Sequence, residues 1–211
     1  MTTALLVPVV RHEKILGLID NIEAATQLPH ALYWAATRGS QCERVLNDVH
    51  ANVLADDGGT FPARINALFA ATDEPYVFMG ADDVRFHPGW LEAAMGMMEV
   101  VDGVVAVNDL FNPHGTLALV SRRYIDENDG TADGTGPVIH RGYIHNYSET
   151  ELFNTAAHRG RFAYCAASVV EHLHWAAGKG EPDEWYRLGD RYAGQDQALH
   201  VSRSHLWGIG G

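Results

Sequence analysis

The sequence predicts an α/β protein, a mostly parallel central sheet with helices on both faces. Two observations predict it. Short apolar runs alternate with segments of helical period through the first half of the chain. Polar residues gather where those runs end, at the carboxyl edge where such sheets bind ligands.

The elements follow in order. "ALLVPVV", residues 4–10, reads as a buried strand, and "EKILGLIDNIEAAT" follows with Ile15, Leu18, Ile19 and Ile22 at helical spacing. "ALYWAAT", residues 31–37, is a second strand, and "QCERVLNDVHA" a second helix. "NVLA" is a short third strand. "TFPARINALFAAT" is a third helix, with Thr60 near its N-cap and Pro62 in its first turn. "PYVFMG" is the fourth strand, "PGWLEAAMGMMEV" the fourth helix with Trp90 as its core anchor, and "GVVAV" the fifth strand. Arg11, Arg38, Asp56, Asp57, Asp82, Asp83, Asn108 and Asp109 all fall at strand ends.

The second half is less regular. "GTLALVSRRYIDEND" reads as a strand leading into a short helix, and "NDGTADGTGP" as a mobile Gly/Asp-rich loop able to close over a site. "SETELFNTAAHRG" reads as a helix with Ser148 as N-cap and Glu151 completing a capping box. "RFAYCAASVVEHLHW" reads as one or two strands, and the polar tail "EPDEWYRLGDRYAGQDQALHVSR" as helix. The expected organisation is one compact domain in two parts: residues 1–110 as a regular α/β half whose strand ends carry the polar residues, and 111–211 as an irregular half with a helical tail.

Composition narrows the function. The chain has 211 residues, enough for one domain with its own core and no staple. Fifteen Lys and Arg (15) against 27 Asp and Glu give a net charge of −12, which argues against a nucleic-acid groove and leaves room for one local phosphate site. The two cysteines, Cys42 and Cys165, form no disulfide framework or zinc pattern and suit a reducing compartment. The start carries no basic leader, and no apolar run reaches the roughly 18 residues of a spanning helix. A soluble, cytoplasmic protein without a membrane span is expected.

Asp82 and Asp83 pose a physical question. Adjacent carboxylates repel unless a cation or a proton compensates them. Oxygen ligands on a loop suit Mg2+ or Mn2+, which keep waters and accept phosphate oxygens. The plain alternative is a solvated turn. Context favours the first. "VPVVR", "PARINALFAAT", "ADDVRFHPGWLE", "SETEL" and "VVEHLHW" occur in an order and spacing that resemble the nucleotide-sugar glycosyltransferases of the GT-A, Rossmann-like fold, especially glycosyltransferase family 2. The resemblance spans roughly residues 4–175. It departs from the family at three points: Ala81 replaces the first acid of the DxD motif, "TRGS" replaces the Asp-Asp-Gly after the second strand, and Ser148-Glu149 replaces the Glu-Asp of the catalytic motif.

The resemblance implies roles. Asp83 and His172 would hold Mn2+ or Mg2+, with His174 the rival of His172. Asp82 would touch the ribose or support the metal. Pro8 and Val9 would border the nucleotide, and Asp57 would contact the base. Glu149 would be the general base, with Glu151 as runner-up. Arg11, Arg38 and Arg64 are candidates for diphosphate or base because guanidinium pairs well with phosphate. Asn66 would reach the donor. Asn108 and Asp109 would line the sugar pocket, Trp175 would offer an apolar platform, and His145 with Asn146 would bind hydroxyls.

The expected activity is metal-dependent transfer of a sugar from a nucleotide-diphosphate sugar, a UDP-sugar favoured, to an acceptor hydroxyl. A base opposite the leaving group implies inversion, and without a placed base retention stays open. The alternatives are a non-catalytic nucleotide-sugar or glycan-binding module, a nucleotidyltransferase, and a His-rich metal hydrolase. Against the nucleotidyltransferase, no Gly precedes Gly17 to form a phosphate loop.

Overall fold

The computed structural model describes residues 1–207. Eight strands form one sheet: β1 (Thr3–Pro8), β2 (His30–Thr37), β3 (Asn52–Asp56), β4 (Tyr76–Met79), β5 (Val84–Phe86), β6 (Val104–Asn108), β7 (Ala118–Ser121) and β8 (Phe162–His172). Seven α-helices pack against it: α1 (Ile15–Ala25), α2 (Gln41–Asp48), α3 (Phe61–Ala70), α4 (Trp90–Val101), α5 (Arg122–Asn128), α6 (Ser148–His158) and α7 (Glu184–Arg203). The spatial strand order is β3-β2-β1-β4-β7-β6-β8-β5. β3, β2, β1 and β4 run parallel, β7 opposes both β4 and β6, β8 runs with β6, and β5 opposes β8. The mostly parallel sheet is therefore as expected, with β7 and β5 as reversed members.

Alternation along β1 explains the two cores. Leu5, Val7 and Val9 point to the layer of α1, α2 and α4, where Ile15, Ile22, Leu46 and Trp90 are buried. Ala4 and Leu6 point to the other layer, with Ile65 and Leu68 of α3, Tyr124 of α5 and Leu152 of α6. Every residue of β1 is buried, as a strand covered on both faces requires. Trp90 is fully buried, packs edge to face with Phe78 with centroids 4.7 Å apart, and donates to Thr26 Oγ1 at 2.9 Å.

Local signals fixed the ends of several elements. Ser40 and Thr60 cap α2 and α3 by accepting from Glu43 N at 3.2 Å and Ala63 N at 3.3 Å. β5, three residues directly after the acidic pair, is an addition to the expected order. The long segment after α6 is one strand whose register breaks: Val107 faces Cys165, but Asn108 faces Val169. The skipped residues let the last part of β8 turn onto β5, where Val84 faces His172.

Two expectations are corrected. The capping box at Ser148 does not form: Tyr147, at φ +66°, is the N-cap, and Ser148 is the first helical residue. Glu151 has stronger partners, accepting from Tyr143 Oη at 2.8 Å and from Arg203 Nη2 at 2.7 Å, and is fully buried. The Gly/Asp-rich loop is pinned rather than loose. Gly130 N donates to Pro137 O at 2.7 Å, Arg159 holds Thr131 O at 3.2 Å, and Arg203 grips Asp133 at 2.8 and 2.9 Å. A side chain at Gly130 would collide with the Val138 carbonyl.

Candidate active site

The carboxyl ends of β1, β4 and β8 converge, and Arg11, Asp82, Asp83 and His172 meet there. Asp82 Oδ2 accepts from the backbone of Val10 at 2.7 Å and Arg11 at 2.8 Å, while Oδ1 takes Arg11 Nη1 at 2.5 Å. Asp82 thus ties the end of β1 to the end of β4. Asp83 Oδ2 lies 3.4 Å from His172 Nε2, accepts from Tyr186 Oη at 2.7 Å, and sits 3.5 Å from Arg11 Nη1. The neighbouring backbone locks this in register: His172 N donates to Asp109 O, and Leu173 N to Asp83 O at 2.8 Å.

The adjacent carboxylates are compensated from within the chain. Arg11 lies between Asp82, Asp83 and Asp183, whose Oδ2 takes Nε at 2.5 Å, and its guanidinium rests 4.6 Å from the Tyr186 ring centroid. The two acids respond differently. Burial raises the Asp82 carboxyl against the pull of Arg11. Burial also opposes ionisation of Asp83, but the hydrogen bond and charge of His172, with Arg11 and Tyr186, hold it well below the usual carboxylate range. The surroundings of Asp83 favour its ionised form, which a cation ligand requires.

The donor set can be tested against a divalent cation. Adjacent ligands of an octahedral ion with bonds of about 2.0–2.1 Å lie about 3 Å apart. The 3.4 Å between the Asp83 oxygen and the His172 nitrogen is close to that spacing. Among the described residues, no group of three or more His, Cys, Asp or Glu converges to hold a metal. A cation here would draw its remaining ligands from water and substrate, which fits Mn2+ or Mg2+ arriving with a diphosphate. His174 stands beside this pair, its ring 5.2 Å from that of His172, and burial pushes its pKa down.

Glu149 lies in the first turn of α6, and burial raises its carboxyl to about 6 against its own backbone N–H, the Ser148 hydroxyl and the charge of His172. His145 precedes it, held through Asp196, which is fully buried and accepts from the backbone N–H of Ile144, His145 and Asn146 at 2.8–2.9 Å. Gly189 of α7 lets the His145 ring lie against the helix, since a Cβ there would stand 2.6 Å from it.

A cavity of about 430 Å³ adjoins Arg11, lined by Val10, Arg11, Ser40, Cys42, Asp183 and Trp185 among others. It lies past the end of β1, beyond Pro8 and Val9, and the start of α7 forms its far wall. Arg38 and Asp57 form an exposed pair at 3.2 Å at the neighbouring strand ends. Arg64 is buried and fully occupied: it grips Asp56 at 2.7 and 2.9 Å, Val9 O at 3.1 Å and Thr37 Oγ1 at 2.7 Å, binding three strand ends together. Asn66 spends its side chain on Val138 and Ile139. Asn108 bonds Ala166 O and Leu110 N, and buried Asp109 bonds Phe111 N, Asn112 and Thr116, so both shape the loop after β6. Trp175 is 37 % exposed beside His174.

Asp183, Tyr186 and Asp196 were missed from sequence. Their partners lie 50 to 172 residues away in the chain, so no local pattern announces them. The one available signal was in the tail: Tyr186, Gly189 and Asp196 share a face of an otherwise polar helix, and they are its buried residues.

No family model matches the sequence, and no curated protein matches it. Solved structures do. The chain is similar to glucosyl-3-phosphoglycerate synthase from Mycobacterium tuberculosis, solved with Mn2+, UDP and glucosyl-3-phosphoglycerate, at TM-score 0.67 and 16% identity over 100% of this chain and 81% of that one. The fold is GT-A. A mannosyltransferase from Pyrobaculum calidifontis, solved with GDP-Man and Mn2+, matches at TM-score 0.66 and 13% identity over 96% of this chain and 63% of that one. S. aureus TarS matches at TM-score 0.60 and 9% identity over 81% and 59% of the two chains. The GT-A sheet places Asp83 and His172 on its carboxyl edge, the side where open α/β sheets take ligands. No helix among the described residues is long and apolar enough to cross a membrane.

Proposed function

We propose that the protein is a metal-dependent glycosyltransferase that moves a sugar from a nucleoside-diphosphate sugar to an acceptor hydroxyl, with inversion. One observation supports this above all. Asp83 and His172, far apart in the chain, meet at 3.4 Å beside an arginine and a cavity of about 430 Å³. Asp83 and His172 would hold the cation. When bound, a divalent cation offsets the negative charge gathering on a departing diphosphate. The cavity past Pro8 and Val9 takes the nucleoside, with the Trp185 ring on one wall and Arg38 and Asp57 at the adjoining strand ends. Arg11 faces the diphosphate. Asp82, Arg64, Asn66, Asn108 and Asp109 hold these parts in place. His145 and Trp175 border the acceptor side.

Glu149 accepts the proton of the attacking hydroxyl, and a carboxyl near pH 6 is well matched to that task at neutral pH. Mn2+ accompanies UDP in the mycobacterial synthase and GDP-Man in the archaeal enzyme. A UDP-sugar is the first donor to test, and GDP-mannose the second. The buried free thiols Cys42 and Cys165 suit the cytoplasm.

A second reading has its own support: Arg11 already compensates the acidic pair, so a metal-independent binding module would be electrostatically self-sufficient. Thermal-shift measurements with UDP, GDP and their sugars, with and without Mn2+ or Mg2+, separate the two. The transferase reading expects a shift that requires metal and is lost in Asp83→Asn and His172→Ala. A shift indifferent to metal and to both substitutions supports the module. No shift with any nucleotide removes the donor site.

A further inference from the structure

The loop after β6 and the turn after β8 present a shelf of packed aromatic rings beside the Asp83–His172 pair. Phe111 and Trp175 are 40 % and 37 % exposed, and among the described residues no other Phe, Tyr or Trp is exposed to that degree. Both face one ring. Phe111 stacks on His174 with centroids 5.3 Å apart and planes 13° apart, and Trp175 lies 6.0 Å away at 30°. Phe111 also stands 6.3 Å from His172, so the shelf abuts the pair read as metal ligands.

The shelf is rigidly built. Asp109, fully buried, accepts from Phe111 N at 2.9 Å, Asn112 N at 2.7 Å and Thr116 Oγ1 at 3.0 Å. Leu110 is held at φ +56°, a conformation unfavourable for a branched side chain, with its carbonyl 3.4 Å from Lys179 Nζ. Trp175 sits in a turn fixed by His174 Nδ1, which accepts from Ala176 N at 3.1 Å, and by Gly178 at φ +71°. Exposed aromatics on an over-determined backbone at the edge of a polar site mark a surface built for a ligand.

We propose that Phe111, His174 and Trp175 form the acceptor subsite and that it takes a pyranose ring of a glycoside, stacked by its C–H face. This rests on the transferase reading and names its acceptor class. A sugar ring has an apolar face for aromatic rings and a hydroxyl edge to turn toward Glu149. A small phosphorylated acid has no such face and needs free cations. Here Lys179, beside the shelf, already pairs with Glu171 at 3.1 Å, and Arg11 is taken by the donor diphosphate in the transferase reading. The acceptor class therefore differs from the phosphoglyceric acid seen in the mycobacterial synthase.

Saturation-transfer NMR tests the assignment, using methyl pyranosides and simple disaccharides against 3-phosphoglycerate, each with UDP and Mn2+ present and again without them. The expected result is saturation of the C–H protons of one ring face in at least one glycoside. Its affinity should fall about tenfold in Phe111→Ala and in Trp175→Ala, the loss of one aromatic contact. Both side chains are exposed, so unchanged melting temperatures would show that the variants fold. Absence of binding by any glycoside overturns the proposal, as does glycoside binding that survives both substitutions, or 3-phosphoglycerate binding preferred over every glycoside. The nucleotide thermal shift reads the donor half separately. Loss of that shift with the glycoside contacts intact would sink the transferase reading alone.

Discussion

Burial raises the Glu149 carboxyl from 4.5 to about 6, and a base must be ionised to act. The acid limb of kcat/KM is therefore expected to fall below about pH 6, and Glu149→Gln should lose that limb together with most of the activity. An acid limb that persists in the variant would assign the titration to another group. Stability should move the opposite way. A folded-state pKa above the unfolded one means that the native state binds the proton more tightly. This group's contribution is favourable at low pH and is lost as pH rises from 4.5 through about 6. Glu149→Gln, which cannot ionise, should consequently melt higher than the parent protein above pH 6. At the neighbouring acids the logic is different. Asp82 is occupied by two backbone N–H groups and a guanidinium, so its position is a matter of architecture. Asp83, one residue on, keeps its charge and faces His172.

Helix α7 is the element on which the site depends most and for which apolar packing explains least. Only Tyr186, Gly189 and Asp196 are buried in its 20 residues. It is held by polar contacts at three heights. Asp183 caps it and binds Arg11, Asp196 gathers the loop before α6, and Arg203 clamps Glu151 and Asp133. Glu151 is fully buried, so removing Arg203 would strand its charge inside the protein. Breaking a buried pair from one side costs about 3–5 kcal/mol. Arg203→Ala is expected to lose about that much in urea denaturation. Amide exchange should then show α7 and the 130–139 loop losing protection together, since Arg203 joins them through Asp133. Loss confined to α7 would mean that the loop is held by its own contacts.

Across the whole molecule, the sequence was legible where the information is local. From residue 4 to 107 every strand and helix but β5 shows its period, and Thr60 announces α3 by capping it. β5 was not legible, because three residues carry no period. Nor was the capping box at Ser148 reliable, since Glu151 found Arg203 at a separation of 52 residues. The resemblance paired Asp83 with His172, and the two do lie 3.4 Å apart, whereas the bond from Tyr186 to Asp83 joins residues 103 apart and left no pattern to read. The same long-range pairing bears on how the chain unfolds. β7, from the second half, lies between β4 and β6 of the first, and β8 pairs with both β6 and β5. Removing residues 111–211 would bare the edges of β4, β5 and β6 and open both layers of the core. Neither half has a boundary along which it would separate with its hydrogen bonds intact. Denaturant unfolding is therefore expected to give one transition, coincident by far-UV circular dichroism and by tryptophan fluorescence. An earlier, separate transition confined to the second half would show that the two halves fold as independent units, and that the sheet pairing between them contributes little to either.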